Sequence, residues 1–218
     1  MKVFKKQIVI ILSLIIMSSC SFAQKNFSEG IITYTISTQS ENPAQADPLS
    51  GATNTVSLKG NLSRTDMSSP LGKETTIYDE NNGLGIILKE YSGQKLMITL
   101  TKDNWENINN KFEGINFINT TETKNIAGYN CTKATGKLHD GSTIIVYYAP
   151  DLTITNKDYN KVFKNLAGLP VQYEFKNGNL KFKYLLSNIS FAPVPVSKFD
   201  FPKAGYRVMS YNESKQGK

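Results

Sequence analysis

The chemistry open to this chain of 218 residues is narrow, because it carries one histidine, His139, and two cysteines, Cys20 and Cys131. Hydrolytic triads and most zinc sites draw on at least one His with defined partners. His139 stands in Lys137-Leu138-His139-Asp140-Gly141, a turn sequence in which an exposed histidine is expected. Paired carboxylates are a second route to catalysis, and they work when their environments differ. Asp79-Glu80 precedes Asn82-Gly83, where solvated acids are expected, and no two acids of the chain stand out as an opposed pair. Gly168-Leu169-Pro170 lacks the glycine spacing of a phosphate loop. Cys131, in Tyr129-Asn130-Cys131-Thr132, has no base close in sequence and reads as a small buried hydrophobe. These residues point to a protein that is not an enzyme and that needs neither cofactor nor metal.

The first residues carry a different signal. Lys2, Lys5 and Lys6 run into an apolar stretch from Ile8 to Met17 broken only by Ser13. A stretch of about ten residues is well short of the roughly 20 that span a bilayer, and with its basic start it reads as an export signal. Ser21-Phe22-Ala23 fits signal-peptidase cleavage between Ala23 and Gln24, making residues 1–23 the signal peptide and 24–218 one exported domain. Met17-Ser18-Ser19-Cys20 offers an alternative, a lipobox in which Cys20 is lipidated and the protein is held on a membrane. The expected location is the periplasm or the outer membrane of a Gram-negative bacterium. Removing the signal takes three lysines and no acid, lowering the formal charge from +7 to +4, and the remaining lysines are well separated. Nucleic acid is therefore not an expected partner. Without Cys20, Cys131 has no intrachain partner, so stability must come from a hydrophobic core.

Strand patterns dominate the chain beyond the signal. Ile32, Tyr34 and Ile36 alternate with Thr33, Thr35 and Ser37, and Val56, Leu58 and Leu62 are read as a second strand. Leu96, Ile98 and Leu100 repeat the pattern, as do Val171, Tyr173 and Phe175, and then Leu180, Phe182 and Tyr184. A period of two with one polar side predicts antiparallel strands that face a core on one side and water on the other. Asn82-Gly83, Ser92-Gly93, Asp140-Gly141 and Asn177-Gly178 are predicted hairpin turns. The polar run from Gln39 to Thr53 is expected to be a long mobile loop. Asn156 is expected to cap a helix carrying Tyr159, Val162, Phe163 and Leu166 on one face, stopped by Gly168. Asp103 with Glu106 suggests a capping box for a weaker helix bearing Trp105, Ile108 and Phe112. The expected fold is mainly β: a single curved antiparallel sheet, or half-barrel, closed by one or two short helices.

A curved sheet with so apolar an inner face must be closed by helices, a second sheet or a ligand. If it stays half open, it forms a groove suited to an acyl chain, a lipid or another apolar ligand. Tyr34, Ile36, Phe163, Tyr173, Phe182 and Tyr184 are the expected walls of that groove, with the helix from Asn156 to Leu166 as its cover. The same residues would equally fill a closed core. In that case the protein is a structural or interaction module whose surface, including the 39–53 loop, meets another envelope protein. A hydrolase acting on cell-wall sugar or lipid is the third reading.

Four blocks in order resemble a family of exported bacterial proteins. They are Asn125-Ile126-Ala127-Gly128-Tyr129-Asn130-Cys131-Thr132-Lys133-Ala134, Val146-Tyr147-Tyr148-Ala149-Pro150-Asp151, Gly168-Leu169-Pro170-Val171-Gln172-Tyr173-Glu174, and Phe199-Asp200-Phe201-Pro202-Lys203-Ala204-Gly205-Tyr206. Their order is similar to the lipoprotein-carrier (LolA/LolB-like) fold. Gly-Leu-Pro also resembles part of the GLPGLI-type motif, with Val171-Gln172 in place of its second half. The resemblance implies a curved antiparallel half-barrel, closed by helices, with an apolar cavity for acyl chains. Carriers of that fold begin with a helix, whereas this chain enters its first strand at Gly30-Ile31-Ile32, which separates the implied fold from an implied shuttle role.

Overall fold

The computed structural model describes residues 25–40, 47 and 49–216. The expected signal peptide, with Cys20 and Ala23, and Gln24 after it lie outside the described residues, as do 41–46 and 48 of the expected loop. The flanks of that loop are strand: Gln39 and Ser40 end one, and Ala52 and Thr53 begin the next.

The fold is mainly β. One large sheet of twelve strands is mostly antiparallel and is joined by a separate two-stranded ladder and a few short helices. After the short β1 (Lys25–Phe27), six strands form a meander: β2 (Glu29–Ser40), β3 (Ala52–Lys59), β4 (Leu62–Ser69), β5 (Gly72–Asp79), β6 (Leu84–Tyr91) and β7 (Gln94–Leu100). A second antiparallel set comes next, with β8 (Phe117–Ile126), β9 (Tyr129–Lys137) and β10 (Thr143–Ala149), then β12 (Leu169–Asn177) and β13 (Leu180–Ser190). Strand β11 (Leu152–Ile154) interrupts this set, and β14 (Arg207–Ser210) comes after it. The sheet order is β14-β7-β6-β5-β4-β3-β2-β13-β12-β10-β9-β8, so the two sets meet where β2 pairs antiparallel with β13. Two departures from a purely antiparallel sheet appear. β14 runs parallel to β7, and β1 pairs parallel with β11 outside the main sheet.

That small ladder closes one end of the sheet. Strands β10 and β2 are separated by β12 and β13, three strand spacings or about 14 Å in a flat sheet. Yet β1 joins β2 through Ser28 alone, and β11 comes after β10 with only Pro150 and Asp151 between. For Lys25, Asn26 and Phe27 to register with Leu152, Thr153 and Ile154, both segments must turn inward over the same face. Phe27, Leu152 and Ile154 are buried there in the main core.

The inner face of β2, β3, β9, β10, β12 and β13 carries this core, including Ile32, Tyr34, Val56, Leu58, Val146, Val171, Tyr173 and Leu186. Over β5 to β7 the same face is covered by helix α1 (Lys102–Asn109), whose Trp105 stacks on Tyr78 with ring centroids 4.3 Å apart. On the outer face a strap of residues 191–206 lays Val194 and Phe199 on Ile77, Ile86 and Leu88. Polar contacts pin this strap. The Val194 N–H donates to Glu29 Oε1 at 2.7 Å, and Arg64, which grips Asp66 at 2.7 and 2.9 Å, donates to the Lys198 carbonyl at 3.0 Å.

Three local expectations need correction. The run from Val56 to Ser63 is two strands, because Gly60, at φ +55°, and Asn61 form a two-residue hairpin. Register pairs Leu58 with Ser63, so Leu62 faces outward rather than continuing the inner row. Helix α1 is capped by Thr101 rather than Asp103. The Thr101 hydroxyl accepts from Asn104 N–H, and the Asn104 side chain accepts from Thr101 N–H, completing a capping box that leaves Asp103 in the first turn. The segment from Asn156 is not one α-helix but two 3-10 turns, Lys157–Tyr159 and Lys161–Phe163. Asn156 caps the first as expected. Asn160 then turns extended, at φ −148° and ψ +96°, and its side chain accepts from Val162 N–H to start a second turn. The four predicted Gly turns all lie at hairpins between consecutive sheet strands.

The β8–β9 hairpin turns on Ala127 at φ +51° and Gly128 at φ +84°. A two-residue turn of this kind needs positive φ at both central positions, which strains an alanine by about 1 kcal/mol. Ala127→Gly is therefore expected to stabilise the protein by about 0.5–1 kcal/mol, read as a higher urea midpoint with an unchanged m-value. A lower midpoint would show that the turn is not strained as described.

Candidate functional site

Strand alternation aims every second residue of β2, β12 and β13 at the inner face, and sequence makes many of these aromatic. A connected layer of rings results. Tyr173 stacks flat on Tyr184, with centroids 4.5 Å apart, and meets Phe163 and Tyr34 edge-on at 4.8 and 5.6 Å. Phe175 stacks on Phe182 at 5.4 Å and lies 5.9 Å from Tyr184, while Phe117 stacks on Phe163 at 6.0 Å. Such offset and edge contacts add about 0.5–1.5 kcal/mol per pair beyond area burial.

The layer rests on a fixed floor. Tyr34 is 2% exposed, and its hydroxyl donates to the Pro170 carbonyl at 2.8 Å, satisfying a polar group that burial would otherwise penalise. Pro170 sits where β10 slips register between Tyr147 and Tyr148, an irregularity that lets a strand carry a residue without an N–H. The preceding Gly168 is there for space, since a Cβ would lie 2.3 Å from the Ala149 carbonyl oxygen. The Gly-Leu-Pro motif thus serves close packing at the start of β12, and Leu169 is buried between the other two.

Above this floor a cavity of about 370 Å³ opens between the sheet and the 3-10 turns. Phe163, Tyr173, Phe175, Tyr184, Ile144, Val162, Leu138 and Phe112 supply its aromatic and aliphatic lining, while Lys111, Lys176, Asp140, Ser142, Asn54 and Asn160 are its polar residues. Of the six residues expected as walls, Phe163, Tyr173 and Tyr184 line the cavity. Tyr34 lies in the floor beside Tyr173, and Phe182 belongs to the ring layer without lining the opening. Ile36 sits in an adjoining cluster with Leu49 and Ala52, against which Phe182 and Tyr184 pack. Sequence reasoning did not expect Leu138 or Ile144 as walls, and it placed Phe112 on the weaker helix, whereas Phe112 lies in a 3-10 turn after that helix ends at Asn109. They flank α1 and the Asp140-Gly141 turn, and only tertiary packing brings those segments to the mouth. His139 is exposed and bonds the Glu113 carbonyl at 2.7 Å, outside the lining. Burial pushes the Cys131 thiol up to about 11, so it is protonated and inert at neutral pH. Among the described residues no three His, Cys, Asp or Glu side chains group to hold a metal.

No protein-family model and no curated protein matches the chain. Solved structures give distant likenesses. A structure of PNGF-II is 16% identical with a TM-score of 0.47, covering 86% of this chain and 33% of its own, so the chain spans about a third of that protein. The Mycobacterium tuberculosis lipoprotein LppX is 15% identical with a TM-score of 0.40, covering 77% of this chain and 89% of LppX. LprF from Mycobacterium bovis is 11% identical with a TM-score of 0.33, covering 78% and 90% respectively.

The cover over the cavity is pinned by polar contacts rather than by helical hydrogen bonds. Asn156 Nδ2 donates to the Gly60 carbonyl at 3.2 Å, Lys157 Nζ to Leu166 at 3.2 Å and Asn165 Nδ2 to Ile115 at 2.9 Å. At its centre Asp158 pairs with Lys161, with Lys164 at 3.1 Å, and with Glu80 of the β5–β6 turn. Partial burial opposes the Asp158 charge, but hydrogen bonds from Lys161, Glu80 and Lys164 outweigh it and hold the carboxyl at about 2. Burial, the bond to Asp158 and its charge push Glu80 the other way, upward from the ordinary value. A raised carboxyl contributes stability below its ordinary value of 4.5 that is lost as pH rises through the folded value. Asp158 contributes in the opposite sense, above 3.8 and lost as pH falls through about 2. The Glu80 contact is therefore weakened as pH rises and Glu80 ionises beside Asp158. Glu80→Gln, which keeps a donor at every pH, is expected to raise the thermal midpoint at pH 7, with the gain shrinking toward pH 4. An equal loss at both pH values would contradict this arrangement.

Proposed function

We propose that this protein is a noncatalytic component of the bacterial cell envelope that holds a lipid or another apolar ligand in the cavity between its sheet and its 3-10 cover. The carrying observation is the cavity itself, lined by eight aromatic and aliphatic side chains at one open end of an otherwise packed core. A few hundred cubic ångströms with an apolar lining and a few convergent polar groups is the ordinary form of a small-molecule site. The export signal supports the envelope setting, and the scarcity of catalytic side chains supports the noncatalytic reading.

A second reading, an interaction module, is favoured by one feature of the outer face. Leu84, Val196 and Phe201 are 51%, 59% and 41% exposed around a hollow of about 300 Å³ beside the strap. Apolar side chains grouped in this way mark contact surfaces.

Titration with a neutral naphthylamine fluorophore separates the two. Saturable one-to-one binding is expected in the wild type. Val162→Trp, which fills the cavity from its half-buried edge, should weaken it by roughly tenfold or more, the equivalent of about 1.4 kcal/mol of lost burial. Leu84→Ser should leave it unchanged. Binding that survives Val162→Trp in a folded variant but falls with Leu84→Ser would move the site to the outer face.

A further inference from the structure

The dimensions and walls of the cavity restrict its occupant beyond being apolar. An apolar cavity of about 150 Å³ accepts benzene, so one of about 370 Å³ has room for on the order of a dozen carbons. Beyond Phe112 the adjoining hollow of about 500 Å³ is lined by charged and polar side chains, Glu106, Glu113, Lys161 and Lys164 among them, and offers no apolar continuation, nor does the cavity extend toward the closed end of the sheet. None of its lining residues comes from β1 or β11, where Phe27, Leu152 and Ile154 are packed, and the bonded Tyr34 lies across the floor. The stacked Tyr173 and Tyr184 rings are flanked by Tyr34, Phe163 and Phe175, so that this side of the cavity is a continuous layer of rings with no second channel beside it among its lining residues.

The mouth has the opposite character. Lys111 and Lys176 bring positive charge to its lining and Asp140 negative charge, with Ser142 and Asn160 among the polar residues. The Asp140 carboxylate accepts from Ser142 N–H at 2.8 Å and from Ser142 Oγ at 2.6 Å, which fixes it in the β9–β10 turn. Lys111 Nζ lies 4.8 Å over the Phe112 ring, so its charge sits directly above the apolar wall. An apolar well with charges of both signs in its lining, the Asp140 carboxylate among them held by Ser142, complements a polar head carried on one tail.

We propose that the cavity is a length-limited site for a single-chain amphiphile, which enters tail first, buries up to about a dozen carbons against Phe163, Tyr173 and Tyr184, and leaves its head at Lys111 and Asp140. Two-chain lipids do not fit it. This rests on the proposed ligand-binding role and adds the number of chains and the length that the site accepts.

Calorimetric titration with n-alkylphosphocholines of eight to sixteen carbons, each below its micelle concentration, tests it, with diheptanoylphosphocholine as a two-chain probe. Affinity should rise about fourfold per added methylene, as burial of each CH₂ predicts, and level off near twelve carbons. The two-chain probe should bind at least roughly tenfold more weakly than the single-chain probe of the same total tail carbons, a difference of about 1.4 kcal/mol. Phe163→Leu, which removes ring atoms from the wall, should move the plateau outward by roughly one carbon. Tyr184→Leu serves the same purpose if the first variant does not fold. Affinity that keeps rising to sixteen carbons, equal binding of the two-chain probe, or a plateau unmoved in a folded variant overturns the length-limited site and leaves the ligand-binding role standing. No binding of any homologue by the folded wild type overturns the ligand-binding role itself.

Discussion

The structure depends on the pairing of β2 with β13. Ten residues of each strand register, from Ile31 with Ser190 to Ser40 with Leu180, and this ladder alone joins the two antiparallel sets into one sheet. Its inner row pairs Tyr34 with Leu186 and Ile36 with Tyr184, aromatic and aliphatic contacts worth about 0.2–1 kcal/mol each. The partners are some 150 residues apart in sequence, so the loop-closure cost is met only once these rows pack. The ring layer runs across this pairing: Tyr173 of β12 and Tyr184 of β13 are partners in the neighbouring ladder, and the β2–β13 register sets Tyr34 on the same face beside Tyr173.

With the sheet assembled, its apolar surface is covered piece by piece. Helix α1 takes the inner face of β5 to β7 through Trp105, the strap of residues 191–206 takes the outer face through Val194 and Phe199, and the β1–β11 ladder closes one end. The 3-10 turns cover the inner face above that end. They are held by the Asn156, Asn165 and Lys157 side chains and by the Asp158 cluster, which fix their position without filling the space beyond Phe163. What stays open is the part of the inner face nearest the β9–β10 turn.

Strands were legible wherever one face is polar. The alternation of Ile32, Tyr34 and Ile36, and of Val171, Tyr173 and Phe175, is imposed by a sheet that faces water on one side. It failed at Val56 to Ser63, where a two-residue hairpin preserves the look of alternation while reversing the chain. The wall residues were legible as inner positions, but which of them face a void was not. Tyr34 and Tyr173 have the same pattern in sequence, and only the Tyr34 bond to Pro170 puts one beneath the other. Helix and 3-10 turn were not separable either, because the apolar spacing of Tyr159, Val162, Phe163 and Leu166 suits both. The decision fell to the Asn160 side chain, which competes for Val162 N–H. The mouth was the least legible part, being assembled from the α1 end, the β9–β10 turn and the cover, which are remote in sequence.

The proposed binding site is the space beside Phe163, Tyr173 and Tyr184. Native mass spectrometry of the protein produced with its own leader and extracted gently from the cell envelope, followed by denaturing mass analysis of the same sample, tests this most directly. A binding site predicts a discrete apolar adduct at one per chain that is lost on denaturation. A native mass equal to the denatured mass, in preparations that retain lipid on a known carrier handled identically, would contradict it.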